Sequence, residues 1–198
     1  MDFNKSVLIA QVFNKGAALD QTEIDCITPL FQDECIKEGD FFIRTGMLVT
    51  KVAFVVTGLL RRYSTNDEGQ DVTLQLITED HFCGDLDGWF RRKPSAAHVQ
   101  AITNCHLLTI SLNELDKLRD SNPKFSAIIH FISEEAMYER IETEELMRTG
   151  TILEKYEHFL THYSKWASRI ALRDLASFLQ ISQHMLTQIE EKAINLYH

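Results

Sequence analysis

The stretch Leu172-Arg-Asp-Leu-Ala-Ser-Phe-Leu-Gln-Ile-Ser-Gln-His-Met-Leu-Thr-Gln-Ile-Glu-Glu191 decides how the carboxy-terminal part of this 198-residue chain is read. Leu175, Leu179, Leu186 and Ile189 have the spacing of two short helices whose apolar faces meet. Ala176 falls where the helices come closest, and a larger side chain there would hold them apart. Ser182 suits the N-cap of the second helix, because its hydroxyl can take an otherwise unpaired backbone N–H. Gln180 stands in the turn where glycine is usual, at a left-handed position that costs a non-glycine residue about 1–2 kcal/mol. The pattern is that of a helix-turn-helix, whose second helix enters a major groove.

Working back from this motif, the texture changes twice. From Phe41 to Ser111 short β-type runs (Val52–Val56, Leu59–Tyr63, Val72–Ile77, Val99–Ile102) alternate with turn residues such as Gly46, Gly58, Asn66-Asp67-Glu68-Gly69 and Gly84–Gly88. Many short strands at this spacing predict a jelly roll or related barrel. Ahead of it, Ser6 to Gln32 is loosely helical, with a helix start at Leu19-Asp20-Gln21-Thr22-Glu23. Behind it, a short helix over Leu112–Asp120 stops at Asn122-Pro123, and a long one runs from about Lys124 to Met147. That long helix carries Phe125, Ile129, Ile132, Ala136, Met137 and Ile141 on one stripe and glutamates elsewhere. Such a stripe between two domains predicts a homodimer joined helix to helix, through Phe125, Ile129, Ile132, Ala136 and Ile141. The fold expected is α+β: residues 1–120 a roll with flanking helices, 121–149 the dimer helix, 150–198 an all-α helix-turn-helix domain.

Charge narrows the partners. Twenty Lys and Arg against 29 Asp and Glu leave a net −9, which opposes wrapping nucleic acid or an anionic membrane with the whole surface. From Gly150 onward five bases meet five acids, and the second helix of the motif has no Lys or Arg before Lys192. Promoter DNA is therefore expected to bind weakly, read by Ser182, Gln183, His184, Thr187 and Gln188, since glutamine pairs well with adenine. The longest apolar run near the start, Val7–Ala10, is too short for a signal core or a span, so a cytoplasmic protein without a membrane partner is expected. Cys26, Cys35, Cys83 and Cys105 are scattered and read as small buried apolar residues. Among eight histidines only His158 and His162 sit one helical turn apart, with Glu154 a turn earlier, and a solvated polar face is the simpler reading. No metal site and no catalytic residue is expected. A cupin-type metalloenzyme fails on spacing, because His81, His98 and His106 do not form the required ligand set.

Taken in order, Val52–Tyr63 with its central Gly58, Phe82-Cys83-Gly84-Asp85-Leu86, Ala97-His98-Val99-Gln100-Ala101 and Ile170–Lys192 resemble the Crp/Fnr family of bacterial regulators. The resemblance implies a cyclic-nucleotide-binding-type roll, a dimerisation helix and a DNA-reading helix-turn-helix. It places a ligand pocket at Gly84, Asp85, Leu86, Ser95 and Ala96. There Asp85 matches a ribose-holding glutamate, and Ser95 stands where nucleotide-binding members have a phosphate-pairing arginine. A phosphate buried without a cation is strongly disfavoured, so cAMP is not the expected effector and the identity of any effector stays open. In the reading helix, Gln183 and Gln188 replace two arginines and His184 replaces a glutamate. The resemblance implies a ligand-responsive transcriptional regulator, not an enzyme. A dimeric sensor that keeps the fold for protein interaction, without DNA, is the alternative.

Overall fold

The computed structural model describes the backbone of residues 4–196 and the side chains of residues 4–191. Helices α1 (Lys5–Phe13) and α2 (Gln21–Ile27) open the chain, and a 3-10 turn over Thr28–Leu30 leads into the strands. The helix start read at Leu19–Glu23 is a capping box, in which Asp20 accepts from the Glu23 N–H and Glu23 from the Asp20 N–H.

Eight strands follow: β1 (Gln32–Ile36), β2 (Phe41–Ile43), β3 (Lys51–Thr57), β4 (Leu60–Thr65), β5 (Asp71–Ile77), β6 (Phe82–Cys83), β7 (His98–Ala101) and β8 (Cys105–Ser111). They form two antiparallel sheets, ordered β1-β8-β3-β6 and β2-β7-β4-β5. A short helix, α3 (Leu86–Arg91), interrupts the run between β6 and β7. Ala53, Val55, Leu60, Ile77, Val99, Ala101 and Leu107 are buried together between the sheets. Val52 and Phe54, on the opposite face of β3, pack instead against Phe13, Phe31, Trp89 and Phe125. The unbroken apolar run Val52–Val56 thus reflects a strand covered on both sides.

Helix α4 (Leu112–Ser121), the 27-residue α5 (Pro123–Thr149) and α6 (Ile152–Tyr163) lead through a 3-10 segment over Ser164–Arg169 to α7 (Leu172–Leu179) and α8 (Gln183–Leu196). The dimer contact expected on α5 needs correction in part. Phe125 and Ile129 are buried inside their own chain, against the helices and the outer face of β3, and Ile132 packs at the edge of that cluster. The large apolar side chains that α5 leaves exposed are Phe131, Met137, Tyr138 and Ile141, at 38–53%. The cysteine reading also holds only in part: Cys83 and Cys105 are buried, while Cys26 and Cys35 are exposed.

The carboxy-terminal helices do not stand apart from the roll. Leu59 and Leu76 of the β2-β7-β4-β5 side share a buried cluster with Phe159, Tyr163, Trp166, Phe178, Leu179 and Leu186. Arg61 of β4, only 5% exposed, reaches across this junction. Its guanidinium donates to Asp174 of α7 at 2.6 Å, to Asp71 at 3.1 Å and to Gln100 at 3.0 Å. Ser177 of α7 adds two bonds to β5, accepting from the Thr73 N–H and donating to the Asp71 carbonyl.

Candidate functional site: a helix pair and an arginine-lined cavity

Helices α7 and α8 form the expected pair. Leu175, Ala176, Leu179 and Leu186 are buried at 3%, 3%, 0% and 0%, with Ile189 packed at their edge. Gln180 adopts φ 54° and ψ 43°, and the Ile181 N–H reaches back to the Ala176 carbonyl at 3.0 Å. This closes α7 as a left-handed C-terminal cap does, with glutamine carrying the strain that glycine would avoid. The Ser182 hydroxyl accepts from the Met185 N–H at 3.2 Å and caps α8.

Gln183, His184, Thr187 and Gln188 lie exposed on α8. The Gln188 amide and the His184 Nε2 are 3.0 Å apart, and the Thr187 hydroxyl donates to the Gln183 carbonyl. The face therefore offers two amides and an imidazole as hydrogen-bonding groups. Its supply of cations is small. Arg173 is exposed but lies 3.5 Å from Asp174, Lys165 pairs with Glu79, and Lys155 is only 7% exposed. The side chain of Lys192 lies outside the described residues.

The second candidate site lies between the roll and α5. A cavity of about 80 Å³ is lined by Phe31, Val52, Arg62, Gln75, Gly84, Leu86, Trp89, Ile132, Ser133, Ala136 and Arg140, among others. Of the five residues expected to form a pocket, Gly84 and Leu86 line it, and Asp85, Ser95 and Ala96 do not. The Asp85 carboxylate is occupied at the start of α3, accepting from the Gly88 N–H at 3.2 Å. The buried Ser95 hydroxyl donates to the Ala97 carbonyl at 2.8 Å, while Ala96 is exposed. Two residues read for the dimer contact, Ile132 and Ala136, line this cavity instead.

Sequence reading missed Arg62, Gln75, Ser133 and Arg140. The available signal was strand period: in β4, Leu60 and Arg62 share the face turned into the roll, and Arg61 takes the opposite one. The histidine reading changes as well. His158 is half-buried against His162, ring centres 4.3 Å apart, and burial followed by the His162 charge holds its pKa down. Glu154 is held by Thr151 in a capping box. Among the described residues no group of three His, Cys, Asp or Glu side chains is placed to hold a metal ion. No helix among them is long and apolar enough to cross a membrane.

Residues 34–122 match the cyclic nucleotide-binding domain family. Over most of its length the chain superposes on several solved structures. FixK2 from Bradyrhizobium japonicum aligns with a TM-score of 0.74 at 13% identity, covering 84% of this chain and 85% of that one. The chain has the Crp/Fnr fold. CLP, the c-di-GMP responsive global regulator of Xanthomonas campestris, aligns at 0.68 and 16% identity, covering 89% and 92%. A Eubacterium rectale protein assigned to the Crp/Fnr family of transcriptional regulators gives 0.68 and 16%, covering 89% and 83%. No curated protein sequence matches. Within the Crp/Fnr fold the roll, α5 and the α7–α8 pair are the three expected parts, in the expected order.

Proposed function

We propose that this chain is a homodimeric transcriptional regulator of Crp/Fnr type that reads DNA through α8 and responds to a ligand held between the roll and α5. The observation that carries the reading is α8 itself: a capped helix, packed by Leu186, that exposes Gln183, His184, Thr187 and Gln188 together. Amide side chains of this kind recognise adenine edges in the major groove. Nothing in this reading requires catalysis, and no residue is given a catalytic role.

Self-association is assigned to the outer side of α5. Phe131, Glu134, Tyr138 and Ile141 recur at alternating three- and four-residue steps, the spacing of a two-helix seam. Replacing Phe131 and Tyr138 together by glutamate is expected to give a folded monomer in sedimentation. Ile132→Glu, in contrast, puts a charge at the edge of the chain's own core and lowers stability. An unchanged dimer mass in the double variant would move the contact elsewhere.

DNA binding is tested by selecting duplexes from a random pool and titrating the best one with salt. Affinity falls with salt by about 0.9 log units per log unit for each phosphate neutralised, so the few bases here give an expected slope of about −2 to −4. A slope steeper than about −6 would reveal phosphate contacts beyond the cations described. Failure to enrich any duplex would favour the sensor that works through protein contacts alone, a reading to which the buried Lys155 and the balanced charge after Gly150 also point.

A further inference from the structure

The loop between β5 and β6, residues 78–81, touches both helical parts that follow the roll. His81 pairs with Glu139 of α5, and Glu79 pairs with Lys165 in the segment ahead of α7. The loop is pinned to β3 from two sides: the Asp80 N–H donates to the Val55 carbonyl and the Val55 N–H to the His81 carbonyl, each at 3.0 Å. Asp80 adopts φ 66°, a left-handed conformation strained for a residue with a Cβ. The His81 ring then stands between two acceptors. Its Nδ1 is 2.8 Å from the Glu79 carbonyl oxygen, which can only accept, so Nδ1 carries a proton. The Thr78 hydroxyl, 3.2 Å from the same nitrogen, donates to that carbonyl as well. The His81 Nε2 is 3.4 Å from the Glu139 carboxylate. A ring with a carbonyl at one nitrogen and a carboxylate at the other is satisfied at both only as an imidazolium.

Other charged groups reach the ring's surroundings from each neighbouring element. α5 also brings Glu135, α1 brings Lys15 and the loop brings Asp80, all lining one groove with His81 and Glu139. From α6, the charges of His162 and His158 act on Glu139, and the buried Nε2 of His158 has no hydrogen-bond partner. Pairing with Glu139 raises the His81 pKa above its ordinary 6.5, with burial and Lys15 opposing and the Glu79 carbonyl assisting. The same pairing holds Glu139 below its ordinary 4.5. We propose that His81 and Glu139 form a proton-operated clamp between the roll and α5, closed while the imidazole is protonated and open once it is neutral. The His81 contribution is complete at acid pH and is lost as pH rises through its raised pKa. The Glu139 contribution is lost only as pH falls through its lowered one, so the clamp is closed between the two. His158 runs the other way: burial lowers its pKa, and it destabilises the fold as pH falls below 6.5. The clamp stands whether or not α8 binds DNA. Only its consequence, a change in how α5 sits against the roll, bears on the regulator reading.

NMR titration of the His81 ring in the full chain tests the pair, its signal assigned by its absence in His81→Gln. The midpoint is expected above 6.5 in the parent, to fall in Glu139→Gln, and to move less in Glu135→Gln. Because His158 opposes His81, the second readout is local: hydrogen exchange of the Asp80 and Val55 amides, corrected for intrinsic rates. Their protection should fall about two- to fivefold as pH rises through the His81 midpoint, the size of a half-exposed ion pair. In Glu139→Gln and His81→Gln it should not change with pH. A purely structural His81 would instead lower protection in His81→Gln equally at every pH and leave the parent without pH dependence. The proposal is overturned if parent and Glu139→Gln share one midpoint or if Glu135→Gln lowers it as far as Glu139→Gln does. It is also overturned if the parent's protection is independent of pH. Neither measurement contains DNA, so failure of the duplex selection and failure of this clamp are distinguishable.

Discussion

Asp174→Ala lowers the unfolding free energy by about 3–5 kcal/mol, the cost of leaving a buried charge without its partner. Asp174 of α7 and Arg61 of β4 are 9% and 5% exposed and meet at 2.6 Å. Asp71 and Gln100 also accept from Arg61, which places the expectation toward the lower end of that range. The double variant Arg61→Met/Asp174→Leu should recover most of the loss, because well-packed apolar residues often replace a buried pair without penalty. Urea denaturation of the three variants measures both effects. A loss under about 1 kcal/mol for Asp174→Ala would mean that water enters the junction and that α7 is only loosely seated on the roll.

Gly58→Ala is expected to be comparably severe, at about 3–5 kcal/mol, by two additive effects. Its φ of +112° is strained for any residue with a Cβ. The added Cβ would also stand 2.6 Å from the Cys105 Sγ and 2.8 Å from the Asn104 carbonyl oxygen, closer than real contacts allow. Gly69→Ala is the control. Gly69 has φ +77° but open space around its missing Cβ, so only backbone strain of about 1–2 kcal/mol applies. Equal losses for the two variants would show that packing between the β3–β4 turn and β8 contributes little.

The contrast between Arg61 and Arg62 shows what the sequence makes legible and what it does not. The run Leu59–Tyr63 reads plainly as a strand, and strand period puts adjacent side chains on opposite faces. What lies over each face depends on the helices that return from far along the chain: α7 over Arg61, α5 beside Arg62. Local pattern carries no information about that return. For the same reason the stripe on α5 was legible as apolar but not as turned toward its own roll, since Phe125 and Ile129 would look alike facing either partner. The α7–α8 pair was readable nearly to the residue, down to the left-handed Gln180 and the Ser182 cap, because its packing is local. In the pocket, the resemblance led to Asp85 and Ser95, whose polar groups are already bonded within the chain. The polar residues that do line the cavity, Arg62, Gln75, Ser133 and Arg140, stand on other elements.

The central claim is that α8 reads base edges with uncharged side chains, and the most direct measurement compares the parent chain with Gln188→Ala on one duplex chosen by selection. At fixed salt, loss of a bidentate amide–adenine contact should weaken the selected duplex by about 1–3 kcal/mol and leave unrelated duplexes unchanged. Equal affinity of the two proteins for the selected duplex, together with Gln183→Ala behaving the same way, would contradict it.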